Sequence, residues 1–358
     1  MKKIGGYFPL EPCDSQENHF WDSLLPQGAD LRFMMSGRCG NYYALQDICL
    51  TDKRKVAYVP VYTCETVLAP FEKAGFQMMF YDVAEDGLTP VFDPAVLDQI
   101  SLISICGYYG FISYDRDFIR QCHERGIIVL EDTTHSILSK DGIDPYCDYV
   151  VGSLRKWIGV PAGGFAMKMH GTFTLPVLEP DMEHLNMRIH SMKIKQQILD
   201  HPNPDGEASL EAASAQFWNA EIMLRKIFDA FSSDDTSVYI MKHFPVREII
   251  RKRRENYHFL ASHFPKHPQF TVVYPKLPEE TVPSHFTVYV KDRDPVQNYL
   301  KEHGISTTAY WPQSRYVDGQ CRANASYIYQ HVLSIPCDQR YDICDMSYIC
   351  DTIAAMPE

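Results

Sequence analysis

The feature that most constrains the fold is an alternation that runs from about residue 31 to about residue 170. Short, near-continuous apolar runs at 56–59, 77–81, 101–105, 127–130, 149–151 and 164–167 alternate with segments of helical spacing at 39–50, 64–74, 94–99 and 115–125. Strands this short and this apolar are buried on both faces. They predict an α/β fold, a mainly parallel sheet of the seven-stranded type sandwiched by helices. In such sheets ligands bind beyond the carboxyl ends of the strands. Gly37-Arg38, Thr63-Cys64, Gly107-Tyr108, Asp132 and Gly152-Ser153 all follow a strand or open a helix, so they are expected to converge on one crevice.

Around this region the chain changes character. Residues 1–30, with Pro9, Pro12 and Pro26, read as an irregular N-terminal arm. Residues 31–245 form the large domain, in which Pro202 and Pro204 break a mostly helical stretch before a long helix at 210–231. Residues 246–358 form a smaller α+β domain, with strands at 270–274, 286–290 and 305–310 and helices at 294–303 and near 345–354. A net charge of −12 argues against general nucleic-acid binding, which depends on neutralising phosphates. No segment reaches the roughly 18 apolar residues of a membrane span, and the N-terminus lacks the apolar run of a signal peptide. The 11 cysteines include no Cys-x-x-Cys pair and no clustered metal ligands. They read as reduced thiols of a cytoplasmic protein with no metal site.

Two residues carry the chemistry. Lys156 stands three residues after Ser153, just past the apolar run at 149–151; Asp132 closes the run at 127–130, 24 residues before that lysine. An acid and a lysine, each at the end of a buried strand, are what pyridoxal 5'-phosphate (PLP) chemistry requires. The lysine amine forms a Schiff base with the cofactor aldehyde, and the carboxylate keeps the pyridinium nitrogen protonated. Each residue also has a plainer reading: Lys156 as a surface lysine opening a helix, Asp132 as a helix N-cap.

Their surroundings add to the case. His135, three residues after Asp132, is placed to hydrogen-bond the cofactor hydroxyl or the aspartate. Ser153 can donate to a phosphate that the Gly152 turn lets the backbone approach. Ser36, Gly37, Arg38 and Cys39 precede an apolar helix, and a glycine turn at a helix N-terminus is an anion site by geometry. Arg38 would clamp phosphate there or pair with a local acid. The basic run at 251–254 reads as a solvated helix face.

Taken together, these segments resemble the DegT/DnrJ/StrS-type aminotransferases of the fold type I PLP enzymes. The resemblance runs in order along nearly the whole chain. It includes the turn at 36–45, the Val-Pro segment at 59–66, Gly107 to Gly110, the Glu-Asp-Thr-Thr-His motif ending at His135, Ser153 with Lys156 and Gly163-Gly164, and Trp311-Pro312. It implies that Lys156 is the Schiff-base lysine and Asp132 the pyridinium partner, with His135 beside the ring. Ser153 with Gly37, Arg38 and Cys39 would hold the phosphate, and the protein would be a homodimer. Four departures stand out. The serine-to-lysine spacing is short, and Arg38 replaces a threonine. Cys64 occupies the ring-facing position of an aromatic, for which Tyr62 or Tyr108 would substitute. The family's Asn-Tyr-Arg segment is missing, with Asn219 the nearest candidate.

The implied function is a PLP-dependent aminotransferase moving an amino group from an amino-acid donor to a keto acceptor, by analogy a nucleotide-linked keto sugar. The alternatives are another fold type I PLP enzyme, a lyase or decarboxylase, and a non-catalytic relative that binds PLP or a sugar. Lys156 itself argues against the related sugar dehydratases, where histidine replaces the lysine.

Overall fold

In the computed structural model, residues 3–201 and 206–357 are described. The strands are β1 (Asp30–Met34), β2 (Val56–Pro60), β3 (Gln77–Ala84), β4 (Thr89–Val91), β5 (Leu102–Cys106) and β6 (Ile128–Asp132). They continue with β7 (Tyr149–Ser153), β8 (Gly164–Lys168), β9 (Phe270–Val272), β10 (Phe286–Val290) and β11 (Val332–Ile335). The helices are α1 (Gly37–Thr51), α2 (Glu65–Lys73), α3 (Arg116–Glu124), α4 (Met182–Asp200) and α5 (Gly206–Ile227). They continue with α6 (Asp235–His243), α7 (Val246–His263), α8 (Arg293–Glu302), α9 (Ala323–His331) and α10 (Ile343–Ala354). Pro202 and Pro204 lie outside the described residues.

The chain divides into two compact units, each built from separated stretches of sequence. The first comprises Met1–Gly6, Arg54–Cys147 and Arg247–Glu358; the second comprises Tyr7–Lys53 and Asp148–Val246.

In the first unit the strands run in the order β6-β5-β2-β3-β4. Neighbours are parallel except for the short antiparallel edge strand β4. The apolar runs explain this arrangement. Residues 57–60 of β2 and Leu102 to Ile105 of β5 are buried at every position, as strands covered on both faces must be. The same unit carries the small antiparallel sheet β11-β10-β9, whose central strand β10 is buried throughout. The fold is thus α/β, with a small antiparallel sheet towards the C-terminus.

In the second unit β8 pairs antiparallel with both β1 and β7. Helix α1 packs on these strands, and α4 packs on α5. Glycines permit the close helix–strand contact. A Cβ on Gly40 would meet the Phe165 carbonyl oxygen at 2.3 Å, and one on Gly164 would meet Ser36 backbone atoms at 2.1 Å.

Three local expectations change. The helix expected at 94–99 shrinks to a single 3-10 turn, Pro94–Val96, capped by Asp93, before the chain enters β5 at Leu102. The strand expected at 305–310 reduces to single bridges, Ile305 with Ile4 and Thr308 with Ser334. Farther along, the Tyr310 carbonyl accepts from the side-chain hydroxyls of Tyr62 and Tyr109. The basic run at 251–254 is only partly a solvated face. Arg251 is exposed and pairs with Glu248 and Glu255, whereas Arg253 is fully buried and donates to Gln339 and to the Ser284 carbonyl.

The 11 cysteines form no disulfide. Among the described residues no helix is long and apolar enough to cross a membrane, and no group of three or more His, Cys, Asp or Glu could hold a metal ion.

Candidate active site

The second unit holds the lysine. Strand β7 ends at Ser153, whose hydroxyl caps the 3-10 turn Leu154–Lys156 by accepting the Arg155 N–H at 3.4 Å. Leu154 and Trp157 on either side are fully buried, and the Leu154 N–H donates to the Gly163 carbonyl at 2.8 Å. Lys156, half-buried, therefore projects from a turn pinned on both flanks.

The start of α1 lies against the same turn. Ser36 caps α1 by accepting the Cys39 N–H at 3.2 Å, and Gly37 is its first residue. A Cβ on Gly37 would come within 3.2 Å of both the Gly152 carbonyl oxygen and the Ser153 Cβ. The N-terminus of a 15-residue helix, a glycine and a serine are thus brought together as an anion cradle. The Cys39 N–H is already taken by the Ser36 hydroxyl, and its thiol is buried and pushed up in pKa by that burial. Arg38 is placed differently from a simple phosphate clamp. Its buried guanidinium donates to the Leu224 carbonyl at 3.2 Å and lies 5.0 Å over the Phe228 ring, tying α5 to α1.

Beside Lys156 lies a charge network that sequence reasoning missed. Glu221 on α5 accepts from Arg155 and from the buried Arg188 of α4. Burial alone would raise the Glu221 pKa, but Arg155, then Arg188 and Lys156, outweigh it and bring it down to about 2. His184 stays neutral near pH 7: burial, then Arg155 and Arg188, lower its pKa to about 4. Its Nδ1 lies 3.0 Å from the Ala220 carbonyl oxygen. A helical reading of 210–231 gave no hint that one acid there serves two arginines. Asn219 is exposed on α5.

The first unit holds the acid. Asp132 ends β6 and accepts the Thr134 N–H at 2.9 Å. Burial raises its pKa, and the hydrogen bonds from Thr134 act against that. His135 is buried among rings, 5.3 Å from Tyr109, 5.3 Å from Trp311 and 5.5 Å from Tyr310 between centroids. Cys64 occupies the N-cap position of α2 without capping it, and its sulfur accepts from Thr66 Oγ1 at 3.1 Å. Tyr62 and Tyr108 are fully buried, and Tyr108 donates to the Tyr62 carbonyl at 2.7 Å.

Glu131, the neighbour of Asp132, was also missed as a partner. It is fully buried and accepts from the Tyr114 hydroxyl at 2.8 Å, the Asp144 N–H at 2.7 Å and the Cys147 thiol at 3.2 Å. Burial raises its pKa to about 7 against these three donors. The signal was present in the sequence: an acid inside an apolar strand run has to find donors in the core.

Each unit thus assembles one part of the predicted set: Lys156, Ser153, Gly37, Arg38 and Cys39 in the second, Asp132, His135 and Cys64 in the first. The residues fit PLP. The cradle suits a phosphate, and a carboxylate raised by burial gains from a cationic partner such as a pyridinium.

Residues 239–354 match the model of the DegT/DnrJ/EryC1/StrS aminotransferase family. Among solved structures, the sugar aminotransferase CalS13 from Micromonospora echinospora superposes with a TM-score of 0.63 at 14% identity, over 99% of this chain and 100% of that one. PseC from Helicobacter pylori, an aminotransferase of pseudoaminic acid biosynthesis, gives 0.65 at 14% identity, over 98% and 100%. The putative sugar aminotransferase Spr1654 from Streptococcus pneumoniae, in its PMP form, gives 0.64 at 13% identity, over 98% and 91%. At these identities the likeness is one of fold. No curated protein matches the sequence.

Proposed function

We infer that this protein belongs to the DegT/DnrJ/EryC1/StrS aminotransferase family and is a PLP-dependent aminotransferase that moves an amino group from an amino-acid donor to the carbonyl of a nucleotide-linked keto sugar, working as a homodimer. The observation that carries the reading is Lys156 on a pinned turn beside an anion cradle at the N-terminus of α1. The family match and the shared fold support it independently. Sugar as the acceptor class comes from the solved neighbours.

PLP, when bound, supplies an aldehyde and an electron-withdrawing ring. The protein's part is to hold that group and to move protons. Ser153 and the N–H groups at the start of α1 would take the phosphate. Asp132 would accept from the pyridine N–H and keep it protonated, and His135 would sit at the ring edge. Lys156 Nζ would hold the aldehyde carbon and, as a free amine, would hold and move the proton that leaves the donor Cα. The charges of Arg155, Arg188 and Glu221 anchor the turn from which Lys156 reaches.

The test uses the full-length protein. Incubated with PLP and reduced with borohydride, it is expected to carry a stable phosphopyridoxyl group on Lys156, found by peptide mass mapping and absent in Lys156→Ala. An amino donor such as glutamate should then bleach the visible band of the unreduced protein. A wild type that takes up no PLP overturns the reading. A protein that binds PLP on Lys156 but is bleached by no amino donor is not an aminotransferase.

A further inference from the structure

We propose that Trp311 supplies the aromatic face that meets the cofactor ring in this protein. The inference rests on the PLP reading above and concerns only residues of the first unit.

A planar heteroaromatic ring bound beside Asp132 needs an apolar face to lie against. The candidates are the rings grouped around His135. Sequence reasoning favoured Tyr62 or Tyr108, but both are fully buried and committed elsewhere. The Tyr108 hydroxyl holds the Tyr62 carbonyl at 2.7 Å, and the Tyr62 hydroxyl holds the Tyr310 carbonyl. Tyr109 is likewise fully buried, its hydroxyl 3.2 Å from the Tyr310 carbonyl oxygen. Cys64 brings no ring at all.

Of the half-buried rings near His135, Tyr310 meets the imidazole edge-on at 79° and His285 lies 6.3 Å from it; Trp311 differs from these and from the buried tyrosines. It is half-buried rather than sealed in the core. It also stands where the two sequence landmarks meet, its ring 5.4 Å from Tyr62 and 5.3 Å from His135, tilted 36° to the imidazole. The segment that carries it is irregular yet firmly held. Thr308 pairs with Ser334 before it, Ser314 caps the next turn after it, and the two tyrosine hydroxyls grip the carbonyl of the preceding residue. A large ring is thereby fixed in place by its backbone rather than by its own burial, as a stacking platform requires.

The experiment titrates apo wild type, Trp311→Phe, Trp311→Leu and Trp311→Ala with PLP, following visible absorbance and the visible circular dichroism of the bound cofactor. Phe keeps a ring and should bind PLP within about twofold of wild type. Leu keeps apolar bulk without a ring. Leu and Ala should weaken PLP binding roughly three- to tenfold, the range of an aromatic pair, and reduce the visible dichroism. A Leu variant with wild-type affinity and dichroism overturns the role of Trp311. If Ala lowers the thermal midpoint, the Phe and Leu pair decides. A wild type that forms no borohydride-stable adduct on Lys156 overturns the PLP reading itself, which separates the two failures.

Discussion

Glu221 accepts hydrogen bonds from two guanidinium groups, whereas Glu131 accepts only from neutral donors: a phenol, a backbone N–H and a thiol. Both carboxylates feel burial as the largest influence, and they move in opposite directions, to about 2 for Glu221 and about 7 for Glu131. Hydrogen bonds alone do not offset the loss of water around a charge, but opposite charges nearby do. The same contrast extends to the candidate residues. Lys156 extends from a turn tied down by ion pairs, while Asp132 accepts a backbone N–H and His135 is set among rings. Around Lys156 the chain is therefore held by charge, and around His135 by neutral hydrogen bonds and packing.

Removing the charge should produce the largest effect. Glu221→Gln leaves Arg155 and Arg188 without their shared acid, and Arg188 is only 2% exposed. Stranding a buried charge costs about 3–5 kcal/mol. Urea denaturation should report that loss, and the adduct yield on Lys156 should fall with it as the turn loosens. A loss under about 1 kcal/mol, the range of an exposed ion pair, would show that the network does not hold the turn.

The two glutamates should also give pH dependences of opposite sign. Glu221 falls from the usual 4.5 to about 2, so its stabilisation is present above pH 4.5 and lost as pH falls towards 2. Glu131 rises from 4.5 to about 7, so the folded state holds an extra proton in between. Its contribution is present below pH 4.5 and lost as pH rises through 7, amounting to roughly 3 kcal/mol. Glu131→Gln cannot titrate. Subtracting its stability profile from that of the wild type should isolate a decline between pH 4.5 and 7; a flat difference would mean that Glu131 is ionised throughout.

How much of this was legible in the sequence follows the range of the forces involved. The strands around Asp132 and before Ser153 were readable because burial on both faces leaves a continuous apolar run, and the observed β6 and β7 overlap those runs. The start of α1 was readable because a serine cap and a glycine act within four residues. Contacts between distant segments were not readable. Nothing near Arg155 announces Glu221, 66 residues on, and nothing near Tyr62 announces the Tyr310 carbonyl, 248 residues on. Arg253 looked like part of a charged face because periodicity cannot distinguish a solvated arginine from one whose fork meets buried carbonyls. Cys64 was legible as a missing ring; which ring stands near His135 instead was not.

The smallest expected effect tests the other side of the contrast. The Tyr310 carbonyl accepts from two hydroxyls, Tyr62 and Tyr109, which also lie 3.2 Å from each other. Tyr62→Phe removes one donor and leaves the acceptor satisfied by the other, so the loss should stay near 1 kcal/mol, the net value of one hydrogen bond. Tyr109→Phe should behave alike. The double variant removes both phenols and should lose more than the sum of the two, because in each single variant the remaining phenol still serves the carbonyl. A double-mutant cycle read by thermal melts measures that excess. Strict additivity would mean that the two phenols do not back each other up at the Tyr310 carbonyl.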